Sequence, residues 1–121
     1  MSPLKDPNNI LSKRSVFYDY DSFDVKAEYK PMIEAHGKYL ADNPKAKMFL
    51  QGNADDRGSR EYNIALGSKR AEGVRKMLSV LGAKEEQMEA VSFGEEKPRA
   101  DCPEEACWSQ NRRADIVYQS E

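Results

Sequence analysis

Gly52-Asn53-Ala54-Asp55-Asp56-Arg57-Gly58-Ser59-Arg60-Glu61-Tyr62-Asn63-Ile64-Ala65-Leu66-Gly67-Ser68-Lys69-Arg70-Ala71 joins the end of a strand, an acidic turn and the start of a long helix. The strand is read over Lys47 to Gly52, and Gly52 and Gly58 bracket Asp55 and Asp56 and permit a tight backbone between them. Ser59 is placed to cap a helix that runs to about Leu81 and is closed by Gly82. Seven residues make two helical turns, so Asn63, Arg70, Val74, Met77 and Leu81 share one line. Val74, Met77 and Leu81 are expected to face a sheet, with Leu66 beside them, and Arg70 interrupts the apolar stripe. A guanidinium in that position must be paired, must snorkel, or must line a pocket.

Working outward, Val16, Tyr18 and Tyr20 alternate within Ser15 to Tyr20 and predict a strand that turns at Asp21-Ser22. From about Val25 to Asp42 the residues Val25, Tyr29, Met32, Ile33, His36 and Leu40 recur at helical spacing, and Asn43-Pro44 stops the helix. Pro31 belongs in that helix's first turn or just after a preliminary turn, because an interior proline removes a hydrogen bond and clashes with the turn before it. Met88 to Phe93 predicts a third strand, Ala106 to Asn111 a short helical turn, and Ala114 to Tyr118 a last strand. The order β-α-β-α-β-β predicts an α/β two-layer sandwich, a mixed sheet with both main helices on one face. Residues 1–14 are expected to be a flexible lead-in and 15–121 a single domain.

Nineteen basic against 21 acidic residues leave a net charge of −2 without a block of one sign, which argues against nucleic-acid binding. No apolar run approaches the roughly 18 to 20 residues that span a bilayer, so the sequence as given reads as a soluble domain. Cys102 and Cys107 flank Pro-Glu-Glu-Ala; with a single distant histidine they make a poor zinc set, leaving a small disulfide loop, which would point to an oxidising compartment, or two free thiols. Asp19-x-Asp21-x-x-Asp24 lacks the glycine and terminal glutamate of a calcium loop. The turn aspartates read as caps or solvated charge before they read as paired catalytic carboxylates, and no nucleophile has a histidine plausibly beside it, so neither an enzyme, a metal nor a cofactor is expected. His36 reads as a hydrogen-bonded core residue and Trp108 as packing beneath the cysteine loop.

The acidic turn and helix together suggest recognition of a zwitterion. Asp55 and Asp56 precede a helix start, Asn63 shares Arg70's face and offers a donor and an acceptor, Arg70 can fork onto a carboxylate and Asp55 can accept from an ammonium. A free amino-acid centre has that shape.

The quoted run, preceded by Val16-Phe17-Tyr18-Asp19-Tyr20-Asp21-Ser22 and followed by Val91-Ser92-Phe93-Gly94-Glu95-Glu96-Lys97-Pro98 and Gln110-Asn111-Arg112-Arg113-Ala114, resembles the OmpA-like peptidoglycan-binding domain family, and within it the Pal-type lipoproteins. The resemblance covers about residues 16–118. It implies an α/β sandwich that binds the stem peptide of peptidoglycan non-covalently through the free amino-acid end of meso-diaminopimelate. By motif position Asp55 resembles the aspartate that holds the ammonium and Arg70 the arginine that holds the carboxylate. Asn63 and Leu66 match an N-x-x-L element, Tyr20 and Asp21 match a pocket-lining turn, and Asp56 and Gly58 complete the candidate set. It further implies a lipid-anchored precursor facing the periplasm from the outer membrane and partnership with TolB. A porin's periplasmic domain, a flagellar stator domain with the same ligand, or an interaction module without wall binding are the alternatives. Asn53 stands where many relatives have histidine, and Asp56 where they have the longer glutamate.

Overall fold

The structure is a computed structural model and describes residues 3–119; Met1 and Ser2 of the expected lead-in, and Ser120 and Glu121 at the end of the expected domain, lie outside the described residues. Its strands are β1 (Ser15–Phe17), β2 (Met48–Asn53), β3 (Met88–Gly94) and β4 (Arg113–Tyr118), and its helices α1 (Lys30–Asp42), α2 (Arg60–Val80) and α3 (Glu105–Asn111). They form one mixed sheet in the order β1-β4-β2-β3. The last strand is inserted between the first two, antiparallel to both, from Ser15↔Asp115 to Phe17↔Arg113 on one side and from Met48↔Tyr118 to Asn53↔Arg113 on the other. β3 runs parallel to β2, with a register shift between Gly52 and Asn53.

That order explains the two layers. The crossovers from β1 to β2 through α1 and from β2 to β3 through α2 step in the same direction along the sheet, and right-handed crossovers then put both helices on one face. Between the layers Val16, Met48, Leu50, Ala114, Ile116 and Tyr118 meet Met32, Ile33 and Leu40 of α1 and Ala71, Val74 and Leu78 of α2 in one continuous core. Gly52 and Gly67 let α2 approach β2 closely: a Cβ added at Gly52 would lie 1.7 Å from the Gly67 carbonyl oxygen.

Local signals place the helix ends. Ser59 is the N-cap of α2, its hydroxyl accepting from the Tyr62 N–H at 3.1 Å, and Gly82 follows the C-terminus with φ of 111°. Pro31 sits in the first turn of α1. The helix starts at Lys30 rather than near Val25: a helical bond from residue 31 to Ala27 would need the N–H that proline lacks, so the chain makes a 3-10 turn over Ala27–Tyr29 first, closed by the Lys30 N–H on Ala27 O.

Three further expectations are corrected. The first strand ends at Phe17 rather than Tyr20: the pairing with β4 closes with one more bond, the Tyr18 N–H on the Arg112 carbonyl at 2.9 Å, and the chain then leaves the sheet. Met77 is only half-buried and Leu81 is exposed, whereas Leu78 is fully buried. At its C-terminal end α2 packs on α1 as well as on the sheet, and Leu81 leans over Gly37 of α1 where the sheet no longer runs. Trp108 does not sit beneath the cysteine loop; it faces the acidic turn, with its indole N–H on Asp56.

His36 is fully buried, between the Tyr118 hydroxyl at 2.7 Å from Nδ1 and the Lys13 carbonyl at 2.8 Å from Nε2. The segment before β1 forms 3-10 turns over Pro3–Lys5 and Ile10–Ser12 and buries Leu11. Among the described residues no helix is long and apolar enough to cross a membrane.

Candidate functional site

Where β1 leaves the sheet, the chain passes over the start of α2, and Arg70 ties the two together. Its guanidinium has no exposure; Nε donates to the Ser22 carbonyl at 2.8 Å, Nη1 to Asn53 O at 2.8 Å and Nη2 to Asp19 O at 3.3 Å. Three of its five donors are thus spent on backbone, leaving one N–H on each terminal nitrogen uncommitted. The Tyr18 ring lies 5.0 Å from Cζ, and its hydroxyl donates to the Arg70 carbonyl. Burial lowers the Arg70 pKa to about 10, so the side chain is still a cation at neutral pH, and burial raises that of Tyr18.

Asp55 is buried beside it. Oδ1 accepts from the Arg57 backbone N–H at 3.0 Å and Oδ2 from Arg57 Nη2 at 2.8 Å, while Arg112 Nη1 stands 3.6 Å from Oδ2. Arg112 is itself buried, donating from Nε to Tyr18 O at 2.9 Å and from Nη1 to Glu105 at 2.5 Å. The Arg57 guanidinium is sandwiched between the rings of Tyr20 and Trp108, with Cζ 3.9 and 4.1 Å from their centroids.

These groups surround a cleft of about 40 Å³ lined by Tyr20, Asp21, Asp55, Arg57, Gly58, Tyr62, Asn63, Leu66 and Arg70. The volume suits a few waters. Asp21 adopts φ of 54° and accepts from the Tyr62 hydroxyl; Asn63 Nδ2 donates to Glu95 Oε1 at 2.9 Å; Gly58 takes φ of 93°, which only glycine adopts without strain. Larger hollows lie elsewhere, one near 570 Å³ beside Tyr39, Pro44 and Tyr118, but the four lined by described residues away from this cleft do not join a buried carboxylate to a buried guanidinium. Among the described residues no cluster of histidine, cysteine or carboxylate side chains could hold a metal ion.

The sequence pattern of the OmpA family matches residues 17–115. This chain belongs to the OmpA family. Within it the chain groups with the peptidoglycan-associated lipoproteins: that of Pasteurella multocida is 41% identical over 104 residues, 86% of this chain and 69% of that protein. The Haemophilus influenzae protein of the same name is 42% identical over an equal length, covering 86% of this chain and 68% of that one. The crystal structure of the peptidoglycan-associated lipoprotein from Burkholderia pseudomallei superposes with a TM-score of 0.96 at 54% identity, over 98% of this chain and 100% of that one. The C-terminal domain of Helicobacter pylori MotB, at 23% identity and a TM-score of 0.78 over 88% of this chain and 83% of its own, shares the fold.

Of the residues singled out from sequence, Tyr20, Asp21, Asp55, Gly58, Asn63, Leu66 and Arg70 meet at this one cleft, though 50 positions separate the first from the last. Asp56 does not line it; the shorter carboxylate turns away to accept from Trp108 Nε1 at 2.8 Å. Cys102, ahead of α3, is joined to Cys107 in the helix's first turn, Cα to Cα 5.6 Å, one residue before Trp108. Sequence reasoning passed over Arg57, Tyr62, Glu95 and Arg112. Arg57 stood inside the acidic turn, and its position two residues after Asp55 was the available signal. Arg112 stood in the Gln110-Asn111-Arg112-Arg113-Ala114 motif, but nothing local assigns its role, because its partners come from β1's exit, the acidic turn and α3.

Proposed function

We propose that this domain binds peptidoglycan non-covalently, taking the free amino-acid end of meso-diaminopimelate in the stem peptide, and so tethers an outer membrane to the cell wall. The observation that carries the reading is a buried carboxylate and a buried guanidinium, Asp55 and Arg70, lining the same cleft on a chain of the peptidoglycan-associated lipoprotein group. Asp55 takes the ammonium. The two uncommitted N–H groups of Arg70 take the carboxylate, and the burial of both side chains strengthens both contacts. Tyr20 and Leu66 supply apolar walls, and Asn63 and Asp21 orient the polar ends. No bond is made or broken: the domain is a binding module. The same kinship supports a periplasmic location, a lipid anchor on the precursor and TolB as a protein partner.

Calorimetric titration with a muropeptide ending in meso-diaminopimelate, beside one ending in lysine, tests the reading. The first binds and the second, which lacks the second amino-acid centre, does not. Asp55→Asn keeps the fold, since an amide still accepts from the Arg57 N–H, but weakens binding by about 1.5–3 kcal/mol because the ammonium loses its counter-charge. Binding of neither muropeptide, with capture of TolB intact, would make this an interaction module that has lost the wall.

A further inference from the structure

We infer that Arg57 is a tethered cation occupying the ammonium subsite of Asp55 in the free domain, so that a ligand enters only by displacing it and bringing a carboxylate of its own. The inference rests on the zwitterion reading above and adds the source of its selectivity.

Arg57 uses both oxygens of Asp55 at once, Oδ1 through its backbone N–H at 3.0 Å and Oδ2 through Nη2 at 2.8 Å. The place a ligand ammonium would take is already filled by a side chain two residues further along the chain. Two aromatic faces hold the guanidinium there, Tyr20 at 3.9 Å and Trp108 at 4.1 Å from Cζ. Trp108 is fixed in turn by its bond to Asp56 and by the Cys102–Cys107 bridge one residue before it. With Arg57 in place the cleft is about 40 Å³, too small for an amino-acid centre. The clamp is also imperfect: Arg57 Nε is buried without a hydrogen-bond partner, and swinging out to solvent would satisfy it.

The charges around the site give the displacement its selectivity. Arg57, Arg70 and Arg112 converge on the one buried carboxylate of Asp55, and Glu105 answers Arg112. A bare amine that displaces Arg57 exchanges one ion pair on Asp55 for another and brings no carboxylate for the arginines. A zwitterion replaces the ion pair on Asp55 and supplies a carboxylate to the arginines. Arg57 thus excludes simple amines from a pocket that would otherwise accept them.

The test uses Arg57→Ala and Arg57→Lys, with the emission of Trp108, the sole tryptophan, as reporter and a thermal melt to confirm folding. Probes are stem tripeptides ending in meso-diaminopimelate or in lysine, and methylguanidinium in the millimolar range. In Arg57→Ala the lysine tripeptide binds about tenfold or more tighter than in wild type, and the ratio between the two tripeptides shrinks. Arg57→Lys, which keeps the charge but stacks less well, falls between. Methylguanidinium shifts Trp108 emission saturably in Arg57→Ala alone and restores the discrimination. A folded Arg57→Ala that loses the diaminopimelate tripeptide would make Arg57 a ligand contact and overturn the inference, as would an unchanged ratio with no response to methylguanidinium. If wild type binds neither tripeptide, the peptidoglycan reading fails; the methylguanidinium arm still decides whether Arg57 fills a cation subsite on Asp55.

Discussion

Arg70 carries two duties that pull in opposite directions. On the proposed reading it is the cation that meets a ligand's carboxylate, and in the fold it is the post to which three backbone carbonyls are tied, those of Asp19, Ser22 and Asn53. A guanidinium that served a ligand alone would cost only affinity when truncated. The structure changes that expectation, because Arg70→Ala would leave the buried Asn53 carbonyl and the part-buried Ser22 and Asp19 carbonyls without their donor. Urea denaturation should therefore show Arg70→Ala destabilised by about 2–5 kcal/mol. Arg70→Lys keeps the charge but cannot fork onto several acceptors, so it should melt below wild type yet above Arg70→Ala. Equal stability of wild type and Arg70→Ala would mean that the loop after β1 holds itself without the guanidinium.

The packing of α2 on β2 sets where Arg70 and Asp55 can be. β2 delivers Asn53, whose carbonyl receives Arg70, and the acidic turn follows directly. The Gly52–Gly67 contact brings helix and strand backbones together, and Ser92 Oγ donates to Ile64 O at 2.7 Å from the neighbouring strand β3. A methyl group at Gly52 would be driven into the Gly67 carbonyl and would have to push the whole helix outward. Gly52→Ala should cost about 3 kcal/mol or more of stability in chemical denaturation. Any folded remainder should bind muropeptide poorly, since Arg70 would be drawn off the Asn53 carbonyl. Wild-type stability in that variant would show that α2 can shift without loss. The helix ends depend on local chemistry instead: the Ser59 cap and Gly82 act within a residue or three of themselves.

At the scale of the molecule, a buried histidine links three separate pieces. His36 of α1 accepts at Nδ1 from the Tyr118 hydroxyl of β4, and its Nε2–H donates to the Lys13 carbonyl just before β1. Burial lowers its pKa from 6.5, with Arg14 nearby adding to the effect. The unfolded chain therefore takes up a proton on His36 before the folded one does. The neutral imidazole's contribution to stability is complete above about pH 6.5 and is lost as pH falls below it toward the folded-state pKa. Thermal melts between pH 8 and 5.5 should show wild type losing stability on acidification faster than His36→Gln, in which nothing titrates at this position. Parallel profiles would remove His36 from the linkage. The Cys102–Cys107 bridge closes a small loop, and on chain-entropy grounds it is worth about 2 kcal/mol, so its larger effect is to fix the approach to Trp108.

The sequence by itself determined the element types and most of their ends, the family, and the set of polar residues worth watching. Caps, proline and glycine stops, and hydrophobic periodicity act over a turn or a strand and need no partner to be read. The insertion of β4 between β1 and β2, the early end of β1, and the burial of Leu78 in place of Leu81 came only with the tertiary structure, because each depends on which distant backbone or side chain is left to pair with. The charges divide the same way. A chain pattern shows that Arg70 must be answered; only the folded molecule shows that three backbone carbonyls, one at the end of β2 and two in the loop after β1, answer it, and that Arg57 already sits on Asp55. Coulomb attraction and hydrogen bonding select partners by distance in space, and residues far apart in sequence acquire that distance only when the layers close.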